Sequence, residues 1–272
     1  MIPDTATDLY AVFGNPVAHS MGPLMHNTWF NTCRVNAVYM AFGIDDIRQG
    51  MAAMRTLNIK GASITIPFKE KILDYLDGVD PVAGEIGAVN TVVNRNGELW
   101  GYNTDCAGAV DPLKQIISLS GKTVYILGAG GAARAVAFGI AREKGRVVIV
   151  NRNEKRGNAL ADHVKGSFVP WEEFTGTHGD IIINTTPLGM VPAIHLSPVK
   201  GTALHMDTIV MDIVYNPLDT RLLCDARAAG CKTVDGLSMF IHQGVRQFCL
   251  FTGEEPPLEL MRNTIIEALV HQ

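Results

Sequence analysis

Tyr125-Ile126-Leu127-Gly128-Ala129-Gly130-Gly131-Ala132-Ala133 runs from an apolar strand into a glycine turn, and its reading decides the fold. An alanine-rich helix follows, then a second apolar strand from Val147 to Val150, then Asn151-Arg152. Tight packing of helix on strand also selects glycine, so the turn alone says little. Its place inside strand–turn–helix–strand is what points to a dinucleotide site. There glycines let backbone N–H groups approach a pyrophosphate, and the helix N-terminus offers the positive end of its dipole. Ala133 stands where a third glycine is usual, a replacement the fingerprint tolerates. An acid at the tip of the second strand normally accepts hydrogen bonds from a free 2′-hydroxyl of the adenosine ribose. This chain places Arg152 at that tip, with Arg156 a turn later. Paired guanidinium groups suit a 2′-phosphate, so the expected cofactor is NADP(H).

The rest of the chain is consistent with a soluble globular protein. Its 272 residues suffice for two modest domains. Hydrophobic residues make up 47% and charged residues 18%, which excludes a disordered chain. A net charge of −4, with scattered lysines and arginines, gives no basic face for nucleic acid or anionic lipid. No apolar run reaches membrane-span length, and Met1-Ile2-Pro3-Asp4 does not open a signal peptide, so neither membrane nor export is expected. Five cysteines without a Cys-x-x-Cys pair read as reduced thiols in a cytoplasmic protein. His19 and His26 lack a third ligand at useful spacing, so no metal is expected.

Short apolar runs alternate with helical stretches: Leu9 to Phe13, Val38 to Phe42 and Ala62 to Pro67 as strands, Pro23 to Cys33, Ile47 to Leu57 and Lys69 to Tyr75 as helices. That alternation predicts α/β layers with mainly parallel sheets. Val89 to Tyr102 reads instead as a hairpin around Asn94-Arg95-Asn96-Gly97. A helical stretch from Asp105 leads to the first cofactor strand, and further strands are expected at Ile181 to Asn184, Ile209 to Asp212 and Lys232 to Val234. The expected domains are 1–106 and a doubly wound Rossmann-type domain at 107–236. Two final helices, Leu237 to Phe251 and Pro257 to His271, within 237–272, complete the first domain and leave a cleft between the two.

Polar residues gather at the strand ends of the first domain. Ser20, in Gly14-Asn15-Pro16-Val17-Ala18-His19-Ser20, precedes a proline-initiated helix; capping that helix and holding an anion both fit it. In Ser63-Ile64-Thr65-Ile66-Pro67-Phe68-Lys69, alternation puts Ser63 and Thr65 on one face and buries Ile64 and Ile66 on the other, with Lys69 just beyond. Asn90 and Asp105 flank the two strands of the hairpin, whose pairing makes them neighbours. A lysine and an aspartate facing a polyol can serve as an acid/base pair for alcohol–ketone interconversion.

These motifs resemble the shikimate/quinate dehydrogenase family over essentially the whole chain. The resemblance rests on the Gly-x-Pro-x-x-His-Ser loop from Gly14, Thr-x-Pro-x-Lys ending at Lys69, Gly-Ala-Val-Asn-Thr at 87–91 and Asn-Thr-Asp ending at Asp105. It continues through the glycine turn, Asn151-Arg152, Asn184-Thr185-Thr186-Pro187-Leu188-Gly189-Met190, Asp212-Ile213-Val214-Tyr215-Asn216-Pro217 and Asp235-Gly236-Leu237 to Gln243. It implies NADP-dependent reduction of 3-dehydroshikimate to shikimate by a substrate-binding first domain and an NADP-binding second one. Lys69 would be the general acid and Asp105 its partner. Ser20 would hold the substrate carboxylate with help from Tyr215, while Thr65, Asn90, Asp105 and Gln243 hold ring hydroxyls. Gly128, Ala129, Gly130, Gly131 and Ala132 would cradle the pyrophosphate, Asn151, Arg152 and Arg156 the 2′-phosphate, and Ile213 and Gly236 the nicotinamide.

Three departures from the family pattern matter. Gly22 stands where a second serine is usual in the substrate pocket, Ser63 where asparagine is usual, and Ser238 where the third residue of Gly-Leu-Gly-Met is glycine. The glycine removes a carboxylate-binding hydroxyl and is expected to open space beside C1 of the ring, where quinate carries a hydroxyl. A dual quinate/shikimate dehydrogenase is therefore the alternative within the family. A non-catalytic ligand sensor would dispense with Lys69 and Asp105, and both are present. The family includes monomers and dimers, so a homodimer is compatible with the resemblance.

Overall fold

A computed structural model describes residues 2–176 and 179–270, with the backbone alone for Thr202 and Val270. Internal contacts divide the chain into two units, Met1–Thr104 with Gln243–Ala268, and Asp105–His242 with Leu269–Gln272.

The first unit begins with β1 (Asp8–Gly14), α1 (Gly22–Thr32), β2 (Ala37–Gly43), α2 (Ile47–Thr56) and β3 (Gly61–Ile64). It continues with β4 (Gly78–Val79), α3 (Pro81–Ile86), β5 (Thr91–Arg95) and β6 (Glu98–Tyr102). Its sheet has the order β2-β1-β3-β5-β6-β4, parallel across β2-β1-β3 and antiparallel through β5. In α2 the buried residues Ile47, Gly50, Met51 and Met54 recur at helical spacing. Asp46 caps that helix by accepting from Arg48 N at 2.8 Å. Met51 and Met54 sit in one core with Phe13, Ile64, Ile72, Val92 and Leu99. The hairpin closes on Asn96 and Gly97, both at positive φ, between paired Arg95 and Glu98. That is the two-residue turn whose twist matches the flanking strands.

Two expectations fail here. β3 stops at Ile64 rather than running to Pro67. Pro67 has no N–H for the ladder, and the chain turns back where Phe68 N donates to Thr65 O at 3.0 Å. Ile66 is consequently 60% exposed instead of buried. The stretch after it is a short 3-10 turn, Lys71–Tyr75, in place of an α-helix from Lys69.

The second unit contains α4 (Asp105–Lys114), β7 (Thr123–Leu127), α5 (Gly131–Arg142), β8 (Arg146–Asn151), α6 (Glu154–His163) and β9 (Ser167–Pro170). It goes on through β10 (Ile181–Asn184), β11 (Ile209–Asp212), α7 (Arg221–Ala228) and β12 (Lys232–Val234). The sheet order is β12-β11-β10-β7-β8-β9, parallel throughout. This is the doubly wound order whose reversal point lies between β7 and β10, where such folds take nucleotides. Ile126, Ile149, Ile181 and Ile183 enter one core with Val136 and Ile140 of α5. Leu127, Val150, Ile182 and Val210 enter the other with Leu222 and Leu223 of α7. A sheet covered on both faces explains the unbroken apolar runs in its strands.

α8 (Gly236–Thr252) starts in the second unit and passes into the first at Gln243. α9 (Leu258–Val270) follows; the expected end of that helix, His271, lies outside the described residues. Phe248 packs edge-on against Trp29, with ring centroids 5.7 Å apart. Among the described residues, no helix is long and apolar enough to cross a membrane.

Candidate active site

In the second unit β7 delivers Leu127 to the turn, and Gly128 takes φ +116°, a conformation that side chains avoid. A Cβ there would lie 2.7 Å from Thr185 Oγ1, which donates to Leu127 O at 2.7 Å. Gly130 precedes α5 with no side-chain cap on the helix, and a Cβ on Gly130 would meet nothing within 4 Å. Ala129 is buried, while Gly131 and Ala132 are half-buried. The first N–H groups of α5 are thus approachable from an open side, which fits a pyrophosphate. Leu127 pairs with Val150, so Asn151 ends β8 at the same edge of the sheet. Arg152 and Arg156 are exposed just beyond it, and Asn153 caps α6 by accepting from Arg156 N at 3.0 Å. Gly128→Ala is expected to weaken NADPH binding by about tenfold or more, read by fluorescence titration, because strain of about 1–2 kcal/mol adds to the clash with Thr185. Unchanged affinity would show that the turn relaxes without cost.

The neighbouring strand ends are braced by a buried carboxylate. Asp212 is fully buried and accepts from Asn184 Nδ2 at 2.9 Å, Val214 N at 3.0 Å and Thr220 Oγ1 at 2.8 Å. Burial pushes its pKa up to about 6, although these three donors pull it the other way. Asn184 in turn accepts from Thr186 N and Oγ1 through Oδ1, and its backbone carbonyl accepts from Ile213 N at 3.1 Å. Gly236 packs backbone on backbone against Ile213 and Val214. Ile213 and Gly236 are therefore together, and Tyr215 stacks on Phe240 with centroids 4.6 Å apart.

In the first unit Asn90 and Gln243 meet by a hydrogen bond, while Thr65 and Lys69 are placed by their backbones. Thr65 N donates to Phe13 O at 3.0 Å and Asn15 N to Ile66 O at 2.9 Å, zipping the loops after β1 and β3 together. Lys69 is half-buried, and its carbonyl accepts from Val89 N at 2.8 Å. Asn90 is buried just ahead of β5. Its Oδ1 accepts from Thr104 N at 2.8 Å, while its Nδ2 donates to Thr104 Oγ1 at 2.9 Å and Gln243 Oε1 at 3.4 Å. Thr104 is bonded covalently to Asp105, the buried first residue of α4.

Ser20 Oγ accepts from Gly22 N at 3.2 Å, and α1 itself has no side-chain cap. The position of Gly22 is lined by Ser20 and by Tyr39 of β2. A Cβ on Gly22 would stand 3.2 Å from Ser20 Oγ and 3.4 Å from Tyr39 Cε1, a tight fit.

Sequence reasoning missed the layer behind these residues. Tyr39 OH donates to Ser63 Oγ, and Ser63 Oγ donates to Gln247 Oε1 at 2.8 Å. Gln247 Nε2 donates to Asn90 O at 3.2 Å and Thr91 Oγ1 at 2.9 Å. His26 stacks on Tyr39 with centroids 4.4 Å apart, and its Nε2 lies 3.4 Å from Gln247 Oε1. The one local signal was that Gln247 follows Gln243 by a helical turn and so shares its face of α8.

Comparison with known proteins covers both units. The model described as the shikimate dehydrogenase substrate binding domain matches residues 12–92, and that of shikimate / quinate 5-dehydrogenase matches 112–214. The shikimate 5′-dehydrogenase C-terminal domain matches residues 236–266. The chain is 40% identical to shikimate dehydrogenase (NADP(+)) of Thermococcus kodakarensis, over 98% of either chain. A crystal structure of a shikimate dehydrogenase in complex with NADP+ superposes with a TM-score of 0.92 at 39% identity, covering 98% of each chain. That of shikimate 5-dehydrogenase from Thermus thermophilus, in complex with NADP(H) and shikimate, gives 0.89 at 35% identity, covering 96% of this chain and 100% of the other.

Proposed function

Because the chain belongs to the shikimate/quinate dehydrogenase family, we infer that it is an NADP-dependent oxidoreductase interconverting 3-dehydroshikimate and shikimate. It serves chorismate and aromatic amino-acid biosynthesis, in the cytoplasm. The observation that carries this is the 40% identity running through 98% of both chains.

Residues 1–106, completed by 237–272, bind the acid, and residues 107–236 bind the cofactor. When bound, NADPH supplies the hydride. Lys69 gives its proton to the carbonyl oxygen in reduction and recovers it in oxidation, with Asp105 as its acid/base partner. Ser20 and Tyr215 take the carboxylate, and Thr65, Asn90 and Gln243 take ring hydroxyls. Neutral amides and hydroxyls suit a polyol, since each donor or acceptor can be matched without burying a charge. Gly128, Ala129, Gly130, Gly131 and Ala132 hold the pyrophosphate, Asn151, Arg152 and Arg156 the 2′-phosphate, and Ile213 and Gly236 the nicotinamide ring.

Quinate is the alternative acid, because Gly22 stands where a second carboxylate-binding serine is usual. Steady-state kinetics with shikimate or quinate, each with NADP+ or NAD+, test both choices. The shikimate/NADP+ pair is expected to have the highest kcat/KM. Arg152→Ser should lower kcat/KM for NADP+ by about ten- to a hundredfold, the worth of one lost charge-assisted contact, and leave NAD+ nearly unaffected. Greater efficiency with quinate and NAD+ in the wild type would overturn the assignment.

A further inference from the structure

We propose that Gln247 is a specificity-determining positioning residue, whose carboxamide turns Ser63 into an acceptor-only contact for a substrate hydroxyl. The proposal deepens the substrate assignment above and rests on it.

The argument is one of donors and acceptors. Asn90 O can only accept, and it lies 3.2 Å from one end of the Gln247 carboxamide. Thr91 Oγ1 lies 2.9 Å from the same end, and its own proton goes to Asn90 Oδ1 at 2.9 Å. Asn90 Oδ1 is fixed as an acceptor by the N–H of Thr104, 2.8 Å away. The end of Gln247 facing these groups must therefore be Nε2, since the flipped amide would set oxygen against oxygen. Oε1 is left facing Ser63, 2.8 Å away, so the Ser63 hydroxyl must donate to it. Tyr39 fills one lone pair of Ser63 as a donor, and burial raises its pKa and keeps its proton in place. Ser63 then has one lone pair left and no proton to give.

Ser63 is half-buried whereas Tyr39, His26 and Gln247 are buried. It is thus the point at which this chain of bonds meets the accessible face. A group arriving there must bring a proton, as a ring hydroxyl does and a carbonyl or ether does not. The family's usual asparagine offers both a donor and an acceptor at this place; Ser63 with Gln247 behind it offers only the acceptor.

The same polarity sets the tautomer of His26. Gln247 Oε1 can only accept, so His26 Nε2 carries the hydrogen, and Nδ1 is a bare lone pair with no hydrogen-bond partner among the described residues. Burial lowers the pKa of His26 to about 3, so the ring is neutral.

The test uses the full-length enzyme. Gln247→Leu frees the Ser63 proton and removes its fixed direction. It should raise KM for shikimate by about tenfold while kcat and KM for NADP+ stay near the wild-type values. Added to Ser63→Ala, the same substitution should raise KM by clearly less than it does alone, because the contact it directs at Ser63 is gone. An unchanged KM in the single variant, or an equal effect in both backgrounds, would overturn the proposal and assign Gln247 to packing. Nitrogen-15 shifts of the wild-type His26 ring read the polarity without substrate. A ring protonated at Nε2 is expected, and one protonated at Nδ1 would sink the proposal. Failure of the wild type to oxidise shikimate would instead count against the substrate assignment, with the His26 tautomer still deciding the polarity.

Discussion

Lys69→Met is expected to lower kcat for shikimate oxidation by about two to four orders of magnitude, the usual contribution of a positioned proton-transfer group. Methionine keeps the length and apolar stem of lysine but cannot carry a proton. The site tolerates that stem, for Lys69 is half-buried and its backbone is held by Val89 N at 2.8 Å whatever the side chain. Loss of activity therefore reports on the ammonium and not on the fold. Cofactor binding should be untouched, because the glycine turn and Arg152 belong to the other unit. Steady-state rates and NADPH fluorescence titration on one preparation separate the two effects. An undiminished kcat would remove Lys69 from proton transfer.

Asp212→Ala should cost the protein about 3–5 kcal/mol, near the upper end for a single substitution. It strands three donors that now converge on one carboxylate, those of Asn184, Val214 and Thr220, and each buried orphan costs about 1–3 kcal/mol. The same carboxylate gives the protein a pH signature. Its folded pKa of about 6 lies above the ordinary value of 3.8, so the folded chain binds the proton more tightly than the unfolded one. The stabilisation from protonated Asp212 is complete below about pH 4 and is lost as pH rises through about 6, a span on the order of 3 kcal/mol. Asp212→Asn should abolish that slope while retaining most of the hydrogen bonds. Urea denaturation at about pH 4.5 and 7.5 reads the difference. A slope that persists in the asparagine variant would place its origin in another group.

The parts of this fold that were legible in the sequence are those whose cause is local. β10 and β11 announce themselves because a strand buried on both faces is an unbroken apolar run, as Ile181, Ile182 and Ile183 are. The hairpin follows from Asn96-Gly97, whose conformations only a few residues accept. The end of β3 was misread because Ile66 extends an apolar run, while the hydrogen bond that turns the chain lies beyond it. The neighbours of Gly22 were illegible for a different reason. One of them is Tyr39, and nothing in the loop announces a ring arriving from β2. Gln247 lies 184 residues from Ser63; a partnership at that separation leaves no trace in the spacing of either segment.

The division of the first unit between Met1–Thr104 and Gln243–Ala268 bears on how the protein is made. A ribosome releases the first sheet long before α8 has been translated. Until then Tyr10 and Phe30 lack the ring contacts of Phe251 and Phe248, and Asn90 and Thr91 lack the amide of Gln247. The nascent sheet must wait, partly uncovered, while the whole cofactor unit is synthesised and free to fold behind it. The first sheet is thus among the earliest parts to be translated and the last to be completed, so a chain that stalls short of α8 can carry every strand of the second unit and no finished first unit.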